Sequence, residues 1–437
     1  MATPNTVAFH TLGCKLNYSE TSTIQRQFED AGFGVNEFSS PADIYIINTC
    51  SVTEFADRKC RKVVRDALRQ NPEAKVVMIG CYAQLKPKEI SEIPGVDLVL
   101  GAAEKFNVLS YIEDLSQAPE KGFVHSCDVT TVHDFESSFS FGDRTRSFLK
   151  VQDGCDYKCS FCTIPQARGK SRSDTIQNVV TQAQNIAEHG VKEIVLTGVN
   201  IGDFGLQLQE DKSVRSENFL ELITSLDKLE GIERFRISSI EPNLCTNEII
   251  EFVAKSKRFV PHFHMPLQSG SNEMLKAMRR RYDRELYAER VEKIKELMPH
   301  CCIGVDVIVG FPLETEAYFE ESYSFIHGLD ISYLHVFTFS ERTNTPAAEM
   351  NPQVPMNIRR ERNQRLRILS DKKKRYFYAE HLGEQRPVLF EESKQEGRVT
   401  GFTDNYIKIS TAKSEHPLNS IGTMTLGTIN ERLMVEC

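Results

Sequence analysis

The chain of 437 residues has no tryptophan, which excludes nothing, and no surplus of positive charge: 53 lysines and arginines face 61 aspartates and glutamates, for a formal net charge of -8. This balance argues against a globally basic nucleic-acid binder and leaves local patches open. No apolar run reaches the length of a membrane span, and the opening residues MATPNTVAFHTLGC lack a basic segment followed by an apolar one. The expectation is a cytoplasmic protein that makes no membrane contact. Also missing is a Ser/His/Asp arrangement for nucleophilic catalysis.

What remains is ordinary globular composition, 40% hydrophobic and 26% charged, at a length that suggests two or three domains, and three are expected. Twelve cysteines are spread along the chain with no secretion signal. In a reducing compartment, clustered cysteines more often bind metal or do chemistry than form disulfides.

The first segment repeats one pattern three times. TVAFHTLGC, DIYIINTC and KVVMIGC read as buried strands, each followed by a helical stretch: Ser19 to Gly32, about Glu54 to Gln70, and Lys86 to Glu92. Strands alternating with helices imply an open parallel sheet, which binds ligands beyond the carboxyl ends of its strands. Each of these strands ends in a cysteine: Cys14, Cys50 and Cys81. Any one alone is most simply a small buried hydrophobe, as Cys60 inside the second helix is expected to be. Three at equivalent ends point to a shared metal site, and three thiolates can hold a 4Fe-4S cluster with one iron left open.

The middle segment carries the strongest motif, GCDYKCSFC, which sets Cys155, Cys159 and Cys162 on one loop able to wrap an iron-sulfur cube. Zinc is the weaker alternative, because its sites usually use two separated pairs and no fitting second pair follows. Strands RSFLKVQDG, EIVLTG, RFRISS, HFHMPLQ, CIGVDVIVGFP and SYLHVFTFS then alternate with helices, giving six βα-type units and a partial (β/α)6 barrel whose chemistry sits at the carboxyl ends of its strands. Thr197, Gly198, Asn200, Ser238, Gln268, Asp306 and Ile308 lie at those ends. Singly they read as turns or caps; as a ring around the cluster loop they form a candidate cofactor pocket.

The CxxxCxxC spacing resembles that of the radical S-adenosylmethionine superfamily. There the cofactor's amino and carboxylate groups chelate the fourth iron, and the aromatic before the last cysteine, here Phe161, lies near the adenine. With TLGCKLN, NTC, GCYAQ, GCDYKCSFCTIPQARG, HMPLQSGS and VDVIVGFP, the chain closely resembles the methylthiotransferase family from about Val7 to the C-terminus. The resemblance implies two 4Fe-4S clusters, one on Cys14, Cys50 and Cys81 that handles the inserted sulfur and one on Cys155, Cys159 and Cys162. It also implies two molecules of S-adenosylmethionine, one as methyl donor and one as the source of a radical that takes a hydrogen from adenine C2. The expected units are an N-terminal sheet domain over 5–117, the radical domain over 141–372 and a small antiparallel β-barrel of the TRAM type over 374–437. TLGCKLN and RISSIEP resemble the branch acting on N6-threonylcarbamoyladenosine 37 of tRNA. The isopentenyladenosine and ribosomal-protein branches are the rivals within the family, and a non-catalytic iron-sulfur tRNA-binding protein is the rival outside it.

The implied partners are a tRNA anticodon loop and a reducing electron donor. Support for RNA from the residues themselves comes from RRERNQRLRILSDKKKR, with Arg359, Arg360, Arg365, Lys372 and Lys373 as candidate phosphate contacts, and from Arg168 and Arg172 after the cluster loop. A solvated basic helix is the plain alternative.

Overall fold

A computed structural model of the protein describes residues 6–50, 54–112, 122–140, 145–209, 212–413 and 417–437. The expected limits at 5, 117 and 141 fall outside these residues, and helix Met356–Ala379 runs through the limit expected between 372 and 374.

The N-terminal sheet is parallel throughout. Strand Thr6–Thr11 pairs with Gly34–Asn36 on one side and Ile44–Thr49 on the other, followed by Lys75–Gly80, Leu98–Leu100 and Phe123–His125. The last strand lies beyond the 5–117 limit expected for this domain. Tyr45, Ile47, Val76 and Met78 enter one apolar core, while Ile44, Ile46, Val77 and Ile79 enter another. Both faces are therefore covered, which explains strands that read as continuous apolar runs. The first helix is Lys15–Asp30, beginning about a turn earlier than the expected one, with Cys14 as its N-cap residue.

The central domain carries all six expected parallel strands. Arg146–Lys150, Glu193–Thr197 and Arg234–Ile237 form one group, and His262–Gln268, Cys302–Val309 and Tyr333–Thr338 form the other. Bridges Phe235 to Phe259 and Ser239 to His264 join the two groups into an open barrel. Leucine, isoleucine and valine on alternate positions face the surrounding helices in one large core. The other positions face the lumen and are mostly polar: Lys150, Glu193, Arg236, His262, His264, Asp306 and His335.

The last domain is a curled five-stranded sheet, antiparallel except where Lys408–Ala412 runs parallel to Val435–Glu436. It docks on the amino ends of the barrel strands, where Arg234 donates to the carbonyls of Pro387 (2.7 Å) and Phe402 (3.2 Å). Helix Lys15–Asp30 packs on the barrel's edge strands Ser138–Phe139 and Arg146–Lys150, with Arg26 donating to the Phe139 carbonyl at 2.9 Å and lying 4.2 Å over its ring.

Gly80 marks the turn that carries Cys81. Its backbone, at φ 94° and ψ -163°, is one that only glycine adopts readily, and an added Cβ would stand 2.3 Å from Asn48 Oδ1. Gly80→Ala is expected to cost roughly 1–3 kcal/mol or more, seen as a lowered melting temperature. Gly32→Ala, at φ 88° with nothing within 4 Å, should lower it less.

Candidate active site: two cysteine triads and the joint between them

The three strand ends of the first domain are stitched together by side chains. Asn17 Nδ2 donates to the carbonyls of Leu12 (2.8 Å) and Thr49 (2.9 Å), Asn48 Nδ2 to Asn17 O (3.0 Å), and Thr49 Oγ1 to Ile79 O (2.6 Å). Cys14, Cys50 and Cys81 emerge from this lattice. Cys50 and Cys81 are buried and Cys14 is exposed. Gly13, at φ 102°, lies so close to Cys50 that a Cβ would stand 3.0 Å from its sulfur. Burial pushes the Cys81 thiol up, against the nearby charges of Arg168 and Lys105. Cys14 sits at the amino end of a 16-residue helix. Cys60 is fully buried in the core, as expected.

At the barrel mouth the second triad lies on one loop. Each sulfur accepts a hydrogen bond: Cys155 from the Tyr157 amide (3.4 Å), Cys162 from the Ile164 amide (3.4 Å) and Cys159 from Arg280 Nη1 (3.1 Å). Burial pushes the Cys162 thiol up to about 11 and raises the other two, so these groups need a metal to hold them as thiolates. The donor set fits an iron-sulfur cluster: thiols only, with hydrogen-bond donors already turned toward sulfur.

Phe161, Cys162, Gln268, Asp306 and Ile308 line one pocket, together with Phe337 and Phe339. Asn200 and Ser238 are buried nearby in the strand-end ring, and Asn200 Oδ1 and Ser238 Oγ find no partner among the described residues. Buried polar atoms of that kind suit a polar cofactor. Thr197 and Gly198 do not line the pocket. The Thr197 hydroxyl donates to Leu149 O (3.1 Å), and Gly198 packs against Gln152, whose Oε1 accepts from the amides of Val199 and Asn200 at 2.9 Å.

Several groups went unread in the sequence. Arg280 stands in the basic triplet Arg279 to Arg281, but its side chain is buried and also pairs with Glu241. His264 Nε2 and His335 Nδ1 both lie on Asp306 Oδ1, at 2.9 and 3.3 Å, and hold that carboxyl well below the usual range in spite of its burial. These residues occupy neighbouring strands in register, Asp306 opposite His335, so lumen-facing polar positions at strand period two were the available signal.

The elements that carry the two triads meet at Arg168. It ends the helix Ile164–Arg168 that follows Cys162, and this helix packs on the one beginning at Cys81. The Arg168 guanidinium donates to Glu20 (3.0 Å), Asp153 (2.9 Å) and Asn17 Oδ1 (2.6 Å). Lys105 reaches the same Glu20 oxygen at 2.7 Å, Lys150 at 3.4 Å, and Arg172 reaches Asp153 at 3.3 Å.

This corrects three of the expected RNA contacts. Arg168 and Arg172 are 3% and 8% exposed and belong to the buried joint. Arg359, 3% exposed, is held by Glu341 and the carbonyls of Val354 and Phe339. None of the three can reach a phosphate without leaving a buried acid or carbonyl unpaired. Arg365 is half-buried against Glu316 and Glu320, and Lys373 donates to the carbonyls of His327 and Leu329. Arg360 and Lys372 are exposed.

Residues 6–101 match uncharacterized protein family UPF0004, and residues 149–326 match the radical SAM superfamily. The chain is 43% identical to a threonylcarbamoyladenosine tRNA methylthiotransferase MtaB of Bacillus subtilis (95% of this chain, 92% of that one). It is 40% identical to the protein of the same name from Aquifex aeolicus (92% and 96%). A tRNA-2-methylthio-N(6)-dimethylallyladenosine synthase of Clostridium botulinum is 32% identical over 82% of this chain and 79% of its own. Among solved structures, the radical S-adenosylmethionine methyltransferase TsrM of Kitasatospora setae shares the fold at a TM-score of 0.57 and 14% identity, covering 79% of this chain and 77% of that one. Two cysteine triads on a sheet domain and an open barrel define an iron-sulfur enzyme of the radical S-adenosylmethionine class. The chain belongs to the methylthiotransferase family within that class. No helix among the described residues is long and apolar enough to cross a membrane.

Two outcomes follow for the metal and the joint. After anaerobic reconstitution, alanine at Cys14, Cys50 or Cys81 should remove roughly half of the bound iron, and alanine at Cys155, Cys159 or Cys162 the other half, whereas Cys60→Ala keeps both; iron analysis with electron paramagnetic resonance reads this. The Glu20 carboxyl, raised by burial but more strongly lowered by Arg168, Lys105 and Lys150, sits at about 2. Its contribution to stability is thus complete above the ordinary carboxylate value of roughly 4.3 and is lost as pH falls toward its folded value. Melting temperature should hold down to about pH 5 and then drop, and Glu20→Gln, already less stable at neutral pH, should show a shallower acid fall.

Proposed function

We propose that this enzyme converts N6-threonylcarbamoyladenosine at position 37 of tRNA to its 2-methylthio derivative. The observation that carries the reading is the pair of cysteine triads whose supporting helices are joined through Arg168. One triad alone would serve a radical generator or a structural cluster; two at one joint suit a sulfur insertion. When bound, the clusters and S-adenosylmethionine supply the sulfur, the methyl group and a radical able to take the unactivated C2 hydrogen, which no side-chain acid or base could do. The substrate branch is supported by higher identity to the relatives named for threonylcarbamoyladenosine than to the one named for the dimethylallyl base.

The chain's own residues bind, orient and shield. Cys14, Cys50 and Cys81 hold one cluster, and Cys155, Cys159 and Cys162 the other, with the Arg280 charge on the Cys159 sulfur. Phe161, Gln268, Asp306 and Ile308 wall the cofactor pocket, with Asn200 and Ser238 offering polar atoms beside it. His264 and His335 fix the Asp306 carboxylate so that it faces the pocket without turning. The barrel wall and helix Lys15–Asp30 exclude water from the reacting base.

The RNA face is the exposed side of helix Met356–Ala379, where Arg360, Arg367, Lys372 and Arg375 are free to meet phosphate. Phe337, 49% exposed on the neighbouring edge strand, offers a ring for a base to stack on. The reaction also takes a reducing electron donor.

Nucleoside mass spectrometry of tRNA from a strain lacking the protein should show loss of the 2-methylthio group from threonylcarbamoyladenosine; loss from the dimethylallyl base alone would reassign the branch. Reconstituted protein with dithionite should release 5'-deoxyadenosine, and intact clusters giving none would leave a non-catalytic tRNA binder. Replacing Arg360, Arg367 and Lys372 together by alanine should weaken tRNA binding and flatten its salt dependence by roughly one unit of slope per residue.

A further inference from the structure

A second pocket opens beside Cys14, where all three domains meet. Its wall includes Lys15 and Tyr18 from the first helix, Arg146 and Arg236 from the barrel, and Glu391 and Tyr406 from the last sheet. The cations here are unequally satisfied. Arg146 is bound to Glu391 and lies 3.8 Å from Glu193. Arg236 is 2% exposed and gives Nε and Nη2 to Glu193 at 2.9 and 3.3 Å. Its Nη1 has no hydrogen-bond partner among the described residues. Lys15 is exposed into the same pocket and makes no hydrogen bond or ion pair among those residues. A buried guanidinium arm left unpaired costs free energy unless an acceptor arrives. With an ammonium beside it, the missing acceptor is an anion.

We propose that Lys15 and Arg236 Nη1 form an anion subsite that receives the carboxylate of the N6-threonylcarbamoyl group and thereby selects this base over one with an apolar N6 substituent. The inference rests on the substrate reading above. Its geometry follows from the base itself. C2 and C6 flank N1 on the same edge of adenine, so a base whose C2 is offered to the sulfur at the Cys14 triad brings its N6 substituent to the neighbourhood of that triad. Backbone phosphates leave from the sugar on the other side of the base and are poorly placed to fill a pocket next to Cys14. Glu391 is occupied by Arg146 and Glu193 by Arg236, so neither supplies the missing acceptor. Glu392, exposed at the rim, would oppose an anion that entered without meeting both cations.

The test compares binding of three anticodon stem-loops to the reconstituted enzyme. One carries threonylcarbamoyladenosine at position 37, one the same base with its threonine carboxyl as the methyl ester, and one the dimethylallyl base. The wild-type protein should bind the acid roughly 10- to 100-fold more tightly than the ester, the range for one charge-assisted pair. Lys15→Gln and Arg236→Gln should each remove most of this preference while leaving ester affinity and iron content unchanged. Retention of the wild-type acid-to-ester ratio in Lys15→Gln overturns the proposal even if Arg236→Gln fails to fold, because Lys15 has no structural partner to lose. Equal wild-type affinity for acid and ester overturns it as well. A variant that loses affinity for S-adenosylmethionine but keeps the acid-to-ester ratio would move the anion to the cofactor's carboxylate and overturn it too. If the wild-type protein methylthiolates only the dimethylallyl stem-loop, the substrate reading itself has failed and the subsite falls with it.

Discussion

Arg168 is the side chain on which the arrangement depends. It is attached by a five-residue helix to the loop of one cysteine triad, and its guanidinium is spent on Asn17 and Glu20 of the helix that starts at the other. Asp153, two residues before Cys155, takes the third contact. A buried cation with two acids and an amide oxygen is costly to assemble and costlier to break: losing one partner of a buried pair typically costs about 3–5 kcal/mol. Such a joint contributes little to net stability over an apolar one. What it adds is a single orientation, because few other placements of the two domains satisfy every charge. That fixed orientation is what two reacting centres on separate domains require.

The rest of the molecule supports this joint. Both faces of the first sheet are buried, so its three cysteine-bearing strand ends cannot shift independently, and Asn17, Asn48 and Thr49 tie them across the sheet. The barrel places its apolar residues outward against the helices and keeps a polar lumen. Glu193, also held at about 2 by Arg236 and Arg146 in spite of burial, is the shared partner of the arginines at one end of the lumen. The last sheet closes that end through Arg234 and Arg146.

Much of this was legible in the sequence, for identifiable reasons. All six barrel strands and the three cysteine-bearing strands could be read because each is a short apolar run bounded by turn residues, and the cysteine spacing is itself a chemical constraint. The fates of the charged side chains were not legible. Arg168, Arg172 and Arg359 read as phosphate contacts because charge density in a sequence does not show which acids and carbonyls the fold brings against each cation; Glu20 is 148 residues from Arg168. Arg280 beside Cys159 was hidden in the same way, at a separation of 121 residues. The His264–Asp306–His335 cluster depends on the register between neighbouring strands, which one strand's pattern cannot reveal.

The most direct measurement is the ratio of 2-methylthio product to 5'-deoxyadenosine in protein whose joint has been altered but whose clusters are intact. In Arg168→Lys, which keeps a charge but cannot serve Asn17, Glu20 and Asp153 together, deoxyadenosine formation should persist while methylthiolation falls, so the ratio drops well below that of the wild type. If product and deoxyadenosine decline in step, or neither changes, the two triads do not depend on this joint to act as one site.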